Sequence, residues 1–324
     1  MSAWSKSLVC VGLLMGLAAC QQSADEVETA DMEAPVEDVV EEVVETEQVT
    51  IVDPAPEMSA TSDRLASVLA MQSEDAQARY GARHPKETLE FFGIEPGMTV
   101  VEALPGGGWY SKILIPYLGA EGTLVGANYP ISLFEQFGFA TPEFMESIAN
   151  WPVTFPLEAA AWCADDCAAV EGFWLGDLPE SHIGTADAVV FIRALHNMAR
   201  FQNAGVDQFL DQALADVFAV LKPGGVFGVV QHEISEEIPD EAVTGEAGYL
   251  KRSFVIAQAE AAGFVLEEAS DINANPMDQA GVGDIVWRLP PTLGTSQEDP
   301  ELRAELEAIG ETNRMTLRFR KPAE

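Results

Sequence analysis

The chain has 324 residues, 53 Asp and Glu against 17 Lys and Arg, and a formal charge of −36. That much negative charge repels nucleic-acid phosphates and anionic lipid surfaces, so no nucleic-acid partner is expected. Hydrophobic residues make up 48% of the chain, enough apolar material for the sizeable core of one large domain.

The first twenty residues combine Lys6, an apolar stretch over residues 8–19 and small residues ahead of Cys20. The stretch is too short to span a bilayer and has the layout of a secretory signal. Leu17-Ala18-Ala19-Cys20 resembles the lipobox of bacterial lipoproteins. The resemblance implies cleavage before Cys20, acylation of that cysteine and a protein held to a lipid bilayer without crossing it. Gln21 resembles the sorting pattern of lipoproteins sent to the outer membrane, giving an expected location on the periplasmic side of the cell envelope. Residues 21–60 then hold 13 Asp or Glu and no Lys, Arg or Gly. Such a segment cannot collapse against its own repulsion and reads as a disordered tether. The expected division is a signal peptide over 1–19, the lipidated Cys20 and tether over 20–60, and a folded domain over 61–324. Without the tether and Lys6, that domain carries −24.

Within the domain, Ser62 or Asp63 can cap a helix running to Tyr80, and His84-Pro85 starts a second that Gly93 ends. Residues 99–104 read as a strand, 109–118 as a helix closed by Gly119, and 122–128 as the next strand. A helix is expected over 142–150, and 151–175 reads as an insertion before or around a third strand. Cys163 and Cys167, in the spacing Cys-Ala-Asp-Asp-Cys, most simply form a local disulfide in an exported protein. Zinc is the alternative, and no second cysteine pair or nearby histidine supports it. Strand 187–193, helix 206–221, strand 226–231, helix 248–262 and strand 264–269 follow. Residues 284–289 are a short strand candidate and 300–309 a charged helix. Residues 314–320 alternate Met315, Leu317 and Phe319 with Thr316, Arg318 and Arg320, the pattern of a closing antiparallel edge strand. Strands alternating with helices predict a doubly wound, mostly parallel α/β sheet.

The most informative run is Val100-Val101-Glu102-Ala103-Leu104-Pro105-Gly106-Gly107-Gly108. It reads as a buried strand delivering an acid into a glycine bend that opens a helix, the architecture of a nucleotide-type cofactor site. Leu221-Lys222-Pro223-Gly224-Gly225 forms a turn ahead of a later strand. Together these runs resemble the class I S-adenosylmethionine-dependent methyltransferases, and more closely a group of bacterial predicted methyltransferases with a strand, a proline, three glycines and an aromatic. A dinucleotide-binding oxidoreductase also begins strand, glycine loop, helix. It would need Gly or Ala at Ser111 and an acid at Asn128, and it does not account for the Leu-Lys-Pro-Gly-Gly turn.

The resemblance implies a seven-stranded Rossmann-like methyltransferase fold with an antiparallel last strand, and S-adenosyl-L-methionine as cofactor. Position by position, it implies cofactor contacts from Glu102, Gly106, Gly107 and Gly108, from Asn128 where the family has an acid on the ribose, and from Asp177 near the adenine. Leu104 stands where the common motif has its first glycine. Methyl transfer is an in-line displacement that needs positioning, and a base only if the acceptor must lose a proton. Arg193, His196 and Asn197 follow a strand at the carboxyl edge of the sheet, where His196 could take that proton and Asn197 or Arg193 orient a small-molecule acceptor. A polar core or capping role for His196 is the alternative. His232 and Glu233 end a later strand at the same edge. Because the cofactor is made in the cytoplasm, a second function is also open: a small-molecule-binding or envelope-associated protein that reuses the fold without turnover.

Overall fold

The computed structural model describes residues 55–324; the signal, Cys20 and nearly all of the acidic tether lie outside them. Seven strands, β1 (Thr99–Ala103), β2 (Thr123–Asn128), β3 (Ala169–Trp174), β4 (Ala186–Ile192), β5 (Leu221–His232), β6 (Val265–Ser270) and β7 (Arg314–Arg320), form one sheet in the order β3-β2-β1-β4-β5-β7-β6. The first five run parallel, and β7 is antiparallel to both β5 and β6. This is the seven-stranded, mostly parallel α/β sheet with a reversed last strand that the alternating elements and the resemblance implied.

Four short helices precede β1: α1 (Ala55–Ala70), α2 (Glu74–Gln77), α3 (Tyr80–Arg83) and α4 (Pro85–Phe91). After β1 come α5 (Ser111–Leu118), then α6 (Ile131–Phe134), α7 (Pro142–Ile148) and α8 (Trp151–Ala159) between β2 and β3. The second half adds α9 (Leu195–Asn203) and α10 (Phe209–Val220) between β4 and β5, α11 (Arg252–Ala261) before β6, and α12 (Pro300–Ile309) before β7. Val100, Val101, Val189 and Val190 are fully buried on the two faces of the sheet, as a parallel strand covered by helices on both sides requires. One face buries Phe191, Phe227 and Phe319 with α9, α10 and α11; the other buries Ile113, Leu114 and Tyr117 of α5 with Leu65, Leu89 and Phe92.

Several expectations change. The helix drawn to Tyr80 stops at Ala70, because Ser73 accepts the Ala76 N–H and starts α2. Residues 151–175 are not an insertion: they supply the crossover helix α8 and the edge strand β3. Pro152 and Pro156 blur the helical pattern there, although Pro152 sits in the first turn, where a missing N–H is harmless. Helix α9 was not expected, and its first turn contains His196 and Asn197. Residues 284–289 hold a 3-10 turn, Val286–Arg288, in place of a strand. Strand β7 lies between β5 and β6, so it is interior; its alternating Arg318 and Arg320 are satisfied by Glu267, Glu268 and backbone carbonyls. Cys163 and Cys167 are joined by a disulfide.

Candidate functional site

A cleft of about 690 Å³ opens at the carboxyl edge of β1, β4 and β5. Its floor is Leu104, Pro105, Gly106 and Gly107 on one side and Ile192, Arg193, His196 and Asn197 on the other; α2 and α3 supply a wall with Asp75, Arg79 and Arg83. Ligands of open α/β sheets bind at this edge, outside the ends of strands whose connections diverge. Strands β1 and β4 are such a pair, since β2 follows β1 on one side and β5 follows β4 on the other.

Two residues without glycine's freedom turn the chain out of these strands in the left-handed region: Leu104 at φ 51° and Arg193 at φ 62°. Each holds its turn by one backbone bond, Leu104 N–H to Ala127 O at 2.7 Å and Arg193 N–H to Val230 O at 2.6 Å. Gly106 continues the bend at φ 55°, where a Cβ would come no nearer to the protein than the Leu104 carbonyl oxygen at 4.0 Å, and a Cβ at Gly107 would meet open space. Gly108 differs: the Trp162 ring stands 2.5 Å from where its Cβ would be, so the third glycine packs against the chain and not against the cleft.

The structure brings Gly106, Gly107, Arg193, His196 and Asn197 to one cleft and leaves Glu102, Gly108, Asn128 and Asp177 out of it. The Glu102 carboxylate points under α5 and accepts from Ser111 Oγ at 2.5 Å. Burial pushes it up to about 7, against the lowering effect of that hydrogen bond. Asn128 is buried at the end of β2, where its Oδ1 accepts from the Tyr129 N–H at 2.9 Å. Tyr129 itself crosses from β2 to the far side of β1, donates its hydroxyl to Ala194 O and accepts from Asn197 Nδ2 at 3.5 Å. Asp177 is exposed in the turn after β3.

His196 is buried, with Nδ1 3.5 Å from Gln231 Nε2 and its ring 5.8 Å from that of His232. Burial, with help from Arg193 and Arg200, brings it down to about 4, so it is neutral and a weak base at pH 7. His232 lies well below the ordinary histidine range for the same first reason and pairs with Thr312 Oγ1 at 2.6 Å. Glu233 turns away from the cleft to Arg252 at 2.8 Å.

The sequence reading missed Arg79, Arg83 and Trp287 as cleft residues. Their elements are distant in sequence, and nothing local marks them; only the docking of α2 and α3 over the sheet edge, and of the turn Val286–Arg288 beside it, puts them there. Arg79, Arg83 and Arg314 all pair with Glu311, which sits just before β7. Burial raises the Glu311 carboxyl, but Arg83, Arg314 and Arg79 together outweigh it and hold it below the usual range.

No protein-family model matches the chain, and no curated protein matches it significantly. Among solved structures, it is similar to a SAM-dependent methyltransferase from Aquifex aeolicus, at 17% identity over 64% of this chain and 93% of that one, with a TM-score of 0.41. A geranyl diphosphate methyltransferase in complex with SAM is 15% identical over 83% of this chain and 93% of that one, with a TM-score of 0.43. The cyclase SpnF is 16% identical over 83% and 96% of the two chains, with a TM-score of 0.48. These values support no transfer of activity or substrate.

Proposed function

We propose that the chain is an S-adenosyl-L-methionine-dependent methyltransferase acting on a small-molecule acceptor. The observation that carries this reading is the cleft itself: it is bounded by the glycine bend after β1 and by Arg193, His196 and Asn197 after β4, on a sheet whose last strand is reversed. Gly106 and Gly107 fit a ligand approaching the backbone closely, since no side chain of the protein stands within 4 Å of where a Cβ would be at either. The fit is confined to that end; Asn128 and Asp177 do not reach the cleft. When bound, the cofactor supplies a methyl carbon on sulfur, electrophilic enough that an aligned acceptor needs little more than positioning. Leu104, Trp109 and Trp287 wall the cleft and exclude water, while Arg193 and Asn197 orient what enters it. Neutral His196 is a poor base, which suits an acceptor that arrives already ionised.

A specific observation favours a second reading, in which the fold binds a small molecule without turnover. The acidic groups that would grip an adenosyl moiety are absent or engaged: Glu102 with Ser111, and Asn128, in place of an acid, with its own neighbour. A neutral amide makes a weaker hydrogen bond than a carboxylate. Calorimetry with S-adenosylmethionine and S-adenosylhomocysteine separates the two. Micromolar binding lost in Gly106→Arg upholds the enzyme; no binding up to millimolar upholds the scaffold.

The location is proposed on the same footing. Among the described residues no helix is long and apolar enough to cross a membrane. The lipobox pattern supports an anchor through acylated Cys20 on the periplasmic side of the outer membrane. Labelling of the chain with a radioactive fatty acid, lost in Cys20→Ala, is the expected result.

A further inference from the structure

The charge of this cleft is opposite to that of the protein. On a chain carrying −36, four arginines converge at one end of the sheet, Arg79, Arg83, Arg193 and Arg314. Among the described residues a single buried carboxylate, Glu311, faces them, and it pairs with three of the four. At the rim Asp75 and Lys112 offset each other, and both nearby histidines are neutral.

The fourth arginine is the informative one. Arg193 lines the cleft, yet among the described residues its guanidinium makes no ion pair and no hydrogen bond. The side chain is half-buried, and the partial loss of water together with the neighbouring Arg314 disfavours its charge, which a guanidinium nevertheless keeps. Its backbone is also held at φ 62°, where a side chain is rarely placed. A structural arginine would have found a carboxylate or a carbonyl. This one is held in a strained turn with its donors facing an open volume. Beside it, the Trp109 indole Nε1 is buried without a partner, and the Arg83 guanidinium lies 4.6 Å from the centre of that ring.

We infer that the cleft takes a small anionic molecule whose carboxylate or phosphate oxygens dock on the Arg193 guanidinium, and that this molecule is the methyl acceptor. Its identity as the acceptor rests on the methyl-transfer reading; the anion site does not. An anion neutralises the surplus positive charge, satisfies a fork of donors whose geometry matches two oxygens, and is excluded from the rest of this acidic surface. The cationic cleft therefore also acts as a filter, drawing anions to a place where the positive charge exceeds the negative on a chain that is acidic overall.

The test is calorimetry of the full chain with inorganic phosphate and with succinate, without cofactor. Saturable binding that falls at least tenfold in Arg193→Gln, with partial recovery in Arg193→Lys, is expected. The urea midpoint of Arg193→Gln should equal or exceed that of the parent, because no partner is lost and repulsion is relieved; a lower midpoint with unchanged binding overturns the inference. If the variant does not fold, the parent chain decides: phosphate affinity that declines as sodium chloride rises supports the site, and no saturable binding overturns it. A parallel titration with S-adenosylhomocysteine keeps the two readings apart. Phosphate binding without S-adenosylhomocysteine binding retains the anion site and removes methyl transfer; the reverse removes the anion site alone. S-adenosylhomocysteine that is displaced by phosphate and weakened in Arg193→Gln would place Arg193 on the cofactor's carboxylate and overturn the acceptor assignment.

Discussion

Glu102→Gln should convert a pH-dependent weakness of the fold into a pH-independent one. The carboxyl is buried at 4% exposure, and burial lifts it to about 7 from 4.5. A folded pKa above the unfolded one means that the unfolded chain releases its proton first. The favourable contribution is complete below the unfolded value and is lost as pH rises from about 4.5 through 7. A displacement of that size corresponds to about 3 kcal/mol. Glutamine keeps an oxygen for the Ser111 hydroxyl but brings an amide N–H₂ that needs new partners, so it imposes a constant cost. The readout is therefore the change with pH and not the absolute difference. Urea unfolding of the parent and variant at pH 5, 6, 7 and 8 should show the variant gaining about 3 kcal/mol on the parent across the series. A gap between them that stays constant with pH would refute the claim that Glu102 is buried away from the cleft and from any counter-charge.

His196→Gln tests the opposite sign in the first turn of α9, just after the neighbouring strand β4. Its folded pKa is depressed to about 4, so the parent loses stability as pH falls from about 6.5 toward 4; relative to the parent, the variant should gain about 3 kcal/mol between pH 7 and pH 4 in the same urea assay. Phe191→Ala removes a fully buried ring that packs edge-on against Phe227 at 5.3 Å and should cost about 3 to 5 kcal/mol, read as a fall in urea midpoint with unchanged slope.

The parallel sheet was legible because its signals are local. Val100, Val101, Val189 and Val190 lie in short apolar runs bounded by glycine or charge, and a strand buried on both faces has no other way to read. The Ser73 cap was equally present in the chain, since Ser-Glu-Asp is a helix start, but the apolar periodicity around it drew one long helix across it. The 151–175 stretch resisted reading because two prolines break the helical pattern while an edge strand, exposed on alternate residues, lacks the strong apolar run of its neighbours.

The candidate site divides the same way. The glycine bend and the residues after β4 could be named from the sequence because each is adjacent to the strand that positions it. Whether Glu102 faced the cleft or the helix could not, because a single strand residue alternates between faces and only the packing of Ser111 above it chose. Nor could the sequence gather Arg79, Arg83, Arg193 and Arg314, which come from the cap of α3, the end of α3, the turn after β4 and the start of β7. Local hydrogen bonds and burial patterns are written into neighbouring residues, so the sequence alone determined the buried strands, most helices and the place of the bend, but not the edge strand β3. The charge of the cleft is a sum over residues far apart in the chain, and only the tertiary packing of those elements fixed its sign.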